Sequence, residues 1–93
     1  MSASVRLHAW VCGRVQGVGY RHFAWTEARR LDVAGWVRNE ADGRVQVVAE
    51  GEKAALDDLL AALHRGPSWA RVQDVEASWK DATGEFSTFD VRR

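Results

Sequence analysis

A glycine-bearing segment, GRVQGVGYR at residues 13–21, leads from an alternating strand pattern into a helical pattern. A strand that runs through such a loop into a helix builds an anion site, because the first helical N–H groups lack intrahelical partners and the helix dipole is positive there. Gly17 and Gly19 allow positive φ, so successive N–H groups can converge on one ligand. Arg21 is a cation in the first helical turn, which is unfavourable unless an anion also binds. The segment predicts a cradle for one phosphate-sized dianion; a plain connecting turn is the alternative.

Patterns around this loop predict the elements that must position it. Strand patterns cover residues 5–12, 35–39, 43–50, 71–80 and 86–92. Helical patterns, with apolar residues three and four positions apart, cover residues 20–32 and 52–65. An Asp-Gly turn signal between the second and third strands predicts a hairpin. The fourth strand alternates less regularly and predicts a β-bulge, and the last strand is expected to turn Phe89 and Val91 inward.

The element order predicts one α+β domain over residues 1–93. The order strand, helix, strand, strand, helix, strand (βαββαβ) is that of a ferredoxin-like sandwich, in which two helices pack on one face of an antiparallel sheet. A short extra strand follows at the C-terminus. The apolar share of 46% is enough for a single small core.

The composition excludes several classes of site. The 13 Lys and Arg residues balance the 13 Asp and Glu residues, giving a formal net charge of zero, whereas nucleic-acid-binding surfaces usually carry a clear basic excess. The single cysteine, Cys12, rules out an intramolecular disulfide and a four-cysteine zinc site. No apolar run approaches the ~20 residues that a membrane span needs. We therefore expect a cytoplasmic protein with no cofactor, no nucleic-acid partner and no membrane partner.

Two motifs together resemble those of the acylphosphatase family: GRVQGVGYR, and GWVRN at residues 35–39. The resemblance extends over essentially the whole chain, through DGRVQVVAEG, the leucine-rich helix and the Gly66-Pro67 pair that ends it. It implies the hydrolysis of small-molecule acyl phosphates, with inorganic phosphate as product and inhibitor. It also implies a monomer.

The resemblance further implies a role for each site residue. The phosphate is bound by the Arg21 side chain and by the backbone N–H groups of Gln16, Gly17, Val18, Gly19 and Tyr20. Asn39, which closes the second motif, positions the attacking water. No metal and no covalent intermediate are expected. Tyr20 stands where family members often have phenylalanine.

The residue types suit this chemistry. The leaving group of an acyl phosphate is a carboxylate whose conjugate acid has a pKa of roughly 4, so it departs without a general acid. Phosphoryl transfer then depends on positioning and on charge stabilisation. The guanidinium of Arg21 is a planar fork matched to phosphate oxygens, and Oδ1 of Asn39 can accept a hydrogen from water. The three histidines are far apart in the sequence and indicate no metal cluster.

Other readings stay open from the residues alone. A ferredoxin-like sheet can bind RNA through aromatic side chains on its central strands, but GRVQVVAEG has no aromatic residue. A phosphate-sensing domain would share the cradle without needing Asn39, and a carbamoyl-phosphate-handling domain would share both motifs. His22 and Cys12 are most simply a partly exposed helix residue and a small strand residue.

Overall fold

The computed structural model describes residues 4–93 as five strands and two helices. The elements are β1 (Ser4–Arg14), α1 (Tyr20–Arg30), β2 (Ala34–Asn39), β3 (Val45–Glu52), α2 (Lys53–Arg65), β4 (Arg71–Asp81) and β5 (Phe89–Arg92). Residues 1–3, which the predicted domain includes, lie outside the described residues. Every predicted element forms, and its ends lie within three residues of the prediction.

The strands form one sheet in the order β4-β1-β3-β2-β5. The first four strands pair antiparallel, as expected of a ferredoxin-like sandwich. The predicted short extra C-terminal strand, β5, pairs parallel with β2, from Gly35↔Phe89 to Arg38↔Arg92, so the complete five-stranded sheet is mixed. The direction of β5 follows from the topology. β4 runs opposite to β2, so it finishes at the end of the sheet where β2 begins, and a chain that crosses the sheet there starts β5 in the direction of β2.

One face of the sheet carries both helices and the core. On β1, the alternating residues Leu7, Ala9 and Val11 are fully buried, as the period-two pattern predicted. The helices bury residues at spacings of three and four: Tyr20, Ala24 and Ala28 of α1, and Leu56, Leu59 and Leu63 of α2. This burial, worth about 25 cal/mol per Å² of apolar area, holds α1 against β2 and β5, and α2 against β1, β3 and β4.

The predicted bulge is present, and the last strand differs from its prediction. The β1–β4 pairing steps from Cys12↔Asp74 to Gly13↔Val72, which leaves an extra residue on β4. At the C-terminus Phe89 is buried as expected, but Val91 is 44% exposed, so its inward placement was wrong. β5 is a short edge strand. Of the two residues on its helix-facing side, Phe89 at the start of the strand is covered and Val91 is not.

The segment between β4 and β5 crosses the helix-free face of the sheet and is anchored there by Glu50. The Glu50 carboxylate accepts hydrogen bonds from the N–H groups of Thr83 and Gly84, at 2.9 and 3.0 Å, and from Nε of Arg6 at 2.7 Å. Burial raises the pKa of Glu50, but these hydrogen bonds outweigh it and hold the pKa below its usual value. The anchored crossing fixes where β5 begins.

Tyr20, the first residue of α1, ties the two helices together. Its side chain is 1% exposed, and its hydroxyl donates a hydrogen bond to the carbonyl oxygen of Leu63 at 2.7 Å. That carbonyl lies in the last turn of α2, where backbone carbonyls have no partner within the helix. Burial raises the pKa of Tyr20 well above that of a free tyrosine.

We predict that Tyr20→Phe lowers the free energy of unfolding by about 1 kcal/mol at pH 7, since Leu63 loses its hydrogen-bond donor. In a domain of this size that lowers Tm by roughly 4–8 °C. Thermal melts of both proteins measure the difference. Thr26→Ala, which removes an exposed hydroxyl of the same helix, serves as the control and should leave Tm nearly unchanged. Equal Tm values for wild type and Tyr20→Phe would contradict this role.

The same pair of proteins should also differ in pH dependence. Tyr20 is the chain's single tyrosine, and its pKa is raised in the folded state. Its contribution to stability is therefore complete below the pKa of an unfolded tyrosine, about 10, and is lost as the pH rises from there toward the folded-state pKa. Melts at increasing pH above 10 should narrow the stability gap between wild type and Tyr20→Phe.

Candidate functional site

The loop between β1 and α1 has the backbone shape that its glycines predicted. Gly17 and Gly19 have φ values of 73° and 79°, in the left-handed region that glycine adopts without steric cost. A Cβ at either position would meet no atom within 4 Å, so the backbone conformation and not crowding requires glycine. Gly19 is the N-cap of α1 and provides no side-chain cap. The first N–H groups of α1 therefore remain available to a ligand.

One cavity joins this loop to the second motif. It is lined by Val15, Gly17, Gly19, Tyr20, Arg21, His22 and Asn39. Its volume of about 170 Å³ compares with roughly 30 Å³ per molecule of liquid water, which leaves room for a phosphate group and a few waters. The fold therefore brings Arg21 and Asn39, distant in sequence, to the same space. The side chains of Gln16 and Val18 lie outside this lining.

Arg21 is half-buried at the start of α1, and its side chain is held by the C-terminal strand. Its Nη1 donates a hydrogen bond to the backbone carbonyl of Arg92, at the end of β5, at 3.1 Å. Within residues 4–93, no carboxylate forms an ion pair with it, and the first turn of α1 contains no acidic residue. Its positive charge adds to that of the helix N-terminus, so the cavity attracts anions.

Asn39 lines the same cavity and carries an unpaired acceptor. It is the last residue of β2, opposite Val45 of β3. Its Oδ1 is buried and accepts no hydrogen bond from the residues that the structure describes. A buried acceptor without a donor costs about 1–3 kcal/mol, so such atoms are rare and often mark a site of function. An oxygen in this environment is suited to accept a hydrogen from a water molecule.

Gln16 has a side-chain role that the sequence analysis missed. Its Nε2 donates to the backbone carbonyls of Glu40 and Arg44, at 2.7 and 2.9 Å. These carbonyls belong to the β2–β3 turn, which closes through a hydrogen bond from Glu40 N–H to Arg44 O at 2.8 Å. Gln16 thus fastens the glycine loop to the turn that follows Asn39. The sequence carried no signal for this contact, since both acceptors are backbone atoms that any residue supplies.

The remaining candidates keep their simpler interpretations. His22 is an exposed helix residue whose ring stacks on Trp25 at 5.7 Å, although it also borders the cavity. Cys12 is a half-buried strand residue with a free thiol. Among residues 4–93, no three His, Cys, Asp or Glu side chains come together in a way that could hold a metal ion. Neither helix in that range is long and apolar enough to cross a membrane.

Comparison with known proteins gives one consistent result. The acylphosphatase family model matches residues 7–91. The acylphosphatase of Salinibacter ruber is 54% identical over 88 residues, which cover 95% of this chain and 93% of that protein. The acylphosphatase of an Anaeromyxobacter species is 51% identical over 92 residues and 99% of both chains. The crystal structure of acylphosphatase from Bacillus subtilis matches with a TM-score of 0.93 at 35% identity, over 96% of this chain and 99% of that one.

The family model covers nearly the whole chain, and the sequence relatives and the solved structure agree with it. On this evidence the chain belongs to the acylphosphatase family, enzymes that hydrolyse acyl phosphates.

Proposed function

We propose that this enzyme hydrolyses acyl phosphates in one step, by attack on phosphorus of a water molecule that Asn39 holds. The phosphate is bound by the backbone N–H groups of residues 16–20 and by the guanidinium of Arg21. The observation that carries this proposal is the buried Oδ1 of Asn39, which has no donor among the described residues, on a residue that lines the same cavity as the positive-φ loop and Arg21.

The division of labour follows from the donor and acceptor types around the cavity. The loop N–H groups and Arg21 only donate, so they match the oxygens of a phosphate and cannot hold a water by its hydrogens. Asn39 Oδ1 only accepts, so it can orient a water with the oxygen lone pair directed at phosphorus. Asn39 is not a base, and the water proton passes to a phosphate oxygen of the substrate.

The cavity lining offers no carboxylic acid to protonate a leaving group, and an acyl phosphate needs none. The carboxylate leaves as a stable anion at neutral pH, with its conjugate acid at a pKa of roughly 4. An alkyl phosphate, in contrast, must release an alkoxide, which requires a proton. The cavity lining contains no carboxylic acid. The proposed selectivity for mixed anhydrides therefore follows from a cavity lining without a carboxylic acid.

Two alternatives from the sequence fare less well. A phosphate sensor has no use for the buried acceptor of Asn39. An RNA-binding sheet needs free aromatic faces, whereas Trp10 lies under the guanidinium of Arg44 at 4.2 Å and Trp36 lies under two others. Neither alternative accounts for the cavity that joins Arg21 to Asn39.

The leaving-group argument predicts a sharp difference between benzoyl phosphate and benzyl phosphate, which share an aromatic ring. Benzoyl phosphate should be cleaved, and benzyl phosphate should react on the order of 10²–10⁴ more slowly or worse, the factor that a positioned acid would supply. Released phosphate measures both rates. Inorganic phosphate should inhibit competitively, and EDTA should have no effect. Comparable rates, or activity lost to EDTA and restored by metal, would refute the mechanism.

The two roles predict different kinetic signatures for two alanine variants. Arg21→Ala should abolish detectable phosphate inhibition and lower kcat/KM by on the order of 10³, since it removes a bidentate charged donor. Asn39→Ala should lower kcat by roughly 10²–10³, the scale for one preorganised polar group, and keep phosphate inhibition within a few-fold. Arg29→Ala, on the exposed side of the same helix, is the control for lost charge. Full kcat in Asn39→Ala would show that another group holds the water.

Gln16 should act on kcat through the spacing between the loop and Asn39. Gln16→Ala removes both hydrogen bonds to the β2–β3 turn, and we expect kcat to fall about 10-fold, the factor that corresponds to roughly 1.4 kcal/mol, with a smaller change in phosphate inhibition. Gln16→Glu should be worse, because its carboxylate faces two carbonyl oxygens. Gln73→Ala, an exposed glutamine on β4, is the matched control. A Gln16→Ala enzyme with wild-type kcat would show that the loop holds its place without this contact.

A further inference from the structure

Four hydrogen-bonded polar side chains form a row on the helix-free face of the sheet. This polar row consists of His8 of β1, Gln46 of β3, Glu40 at the start of the β2–β3 turn, and Arg38 of β2. The ring Nε2 of His8 lies 2.6 Å from Gln46 Oε1. Glu40 Oε2 accepts two hydrogen bonds, from Gln46 Nε2 at 3.0 Å and from Arg38 Nε at 2.7 Å. The chemistry described so far uses none of these side chains.

Gln46 is the centre of the polar row and is buried. It is 6% exposed, whereas glutamine is mostly found on protein surfaces. A buried side-chain amide costs free energy unless its polar atoms find partners. Gln46 finds them on two different elements, because its oxygen faces β1 and its nitrogen faces the β2–β3 turn. A residue with this burial and these partners holds the turn in a fixed place relative to the sheet.

The donors and acceptors of the polar row fix the orientation of the Gln46 amide. The hydrogen bond from the Arg38 guanidinium holds the pKa of Glu40 below its usual value, so at neutral pH the carboxylate is ionised and only accepts. Gln46 must therefore present its NH2 group to Glu40, which leaves its oxygen facing His8. His8 then carries a hydrogen on Nε2 and donates it. The amide cannot turn over without losing hydrogen bonds at both ends.

The polar row reaches Asn39 through the backbone. Successive side chains of a strand point to opposite faces, so Arg38 and Asn39 are on opposite sides of β2. Arg38 precedes Asn39 and Glu40 follows it, and the ion pair between these two neighbours spans the residue. The register partner of Asn39 is Val45, which directly precedes Gln46. The residues before, after and beside Asn39 are therefore all tied to the polar row.

Glu40 connects this face of the sheet to the phosphate loop. Its carboxylate accepts the hydrogen bond from Gln46, and its backbone carbonyl accepts one from Gln16 at 2.7 Å. No donor among the described residues holds Oδ1 of Asn39, so the backbone has to set the direction of that oxygen. A displacement of Glu40 would change this direction.

We propose that Gln46 and Glu40 are positioning residues for the reaction, which hold the backbone of Asn39 so that its oxygen keeps the attacking water directed at phosphorus. This proposal rests on the proposed function, because it concerns the water that Asn39 holds. Neither residue touches the substrate. Both act on the alignment of water and phosphorus, to which the rate of attack is sensitive.

The test measures kcat for benzoyl phosphate and inhibition by inorganic phosphate in Gln46→Leu, which removes both hydrogen bonds and fills a similar volume. We expect kcat to fall about 10-fold, less than the roughly 10²–10³ for the loss of Asn39 itself. Phosphate inhibition should stay within about two-fold, because the proposed phosphate donors are unchanged. Glu40→Ala should give the same pattern. Glu40→Gln keeps an acceptor oxygen for Gln46 and Arg38, and should recover most of the lost kcat.

A double-mutant cycle with Asn39→Ala separates positioning from general support of the fold. If Gln46 acts through Asn39, Gln46→Leu should change kcat by less than about two-fold in the Asn39→Ala background. An equal loss in both backgrounds would show that Gln46 only supports the fold, and would overturn the proposal. Wild-type kcat in Gln46→Leu and Glu40→Ala would also overturn it. Thermal melts establish that each variant is folded, and the partly exposed Glu40 provides the same cycle if Gln46→Leu does not fold.

The matched control is Asp42→Ala, which removes the other carboxylate of the β2–β3 turn. Asp42 is exposed and forms its ion pair with Arg44, outside the polar row, so kcat should stay within about two-fold of wild type. A loss equal to that of Glu40→Ala would assign the effect to the turn in general and overturn the proposal. A failure of the proposed function is recognised separately, because Asn39→Ala would then keep full kcat, which removes the basis of this proposal as well.

Discussion

The site depends on a fixed spacing between the glycine loop and the end of β2. In the proposed mechanism the loop carries the donors for the phosphate and Asn39 carries the acceptor for water, so a small change in their separation would misalign the attack. Antiparallel pairing of β1 and β2 with β3 sets this spacing coarsely. The amide of Gln16 sets it finely, through its two hydrogen bonds to backbone carbonyls of the β2–β3 turn. Both acceptors are part of a closed turn, so the loop is fastened to a rigid element.

A second constraint reaches the site from the far end of the chain. Glu50 anchors the segment that crosses the helix-free face of the sheet, and the crossing delivers β5 to the edge beside β2. The carbonyl of Arg92 then accepts a hydrogen bond from Arg21. If Arg21 binds the phosphate as proposed, this hydrogen bond holds its flexible side chain before substrate arrives and lowers the entropic cost of ordering it. The short C-terminal strand thus supports the proposed site, although it contributes little to the core.

The site contains positive charges without acidic neighbours. Arg21 at the positive end of α1 has no acidic neighbour in the first helical turn, and the loop adds N–H donors to it. Across the β1–β4 pair, Arg14 and Arg71 face each other, and neither forms an ion pair within residues 4–93. Each such charge costs stability in the unliganded protein, and a bound anion would offset that cost. The zero net charge of the chain therefore conceals a local positive region at one end of the sheet.

The sequence by itself determined those features that depend on neighbouring residues. The two periodicities placed every helix and strand, the glycines marked the positive-φ loop, and the two motifs identified the family and the candidate residues Arg21 and Asn39. The contact of Gln16 with the turn, the support of Arg21 by Arg92, the parallel pairing of β5 and the facing pair Arg14 and Arg71 came only from the tertiary structure. These contacts join segments distant in sequence and use backbone acceptors or strand register. No local pattern encodes them, because they exist only once the strand order has been set.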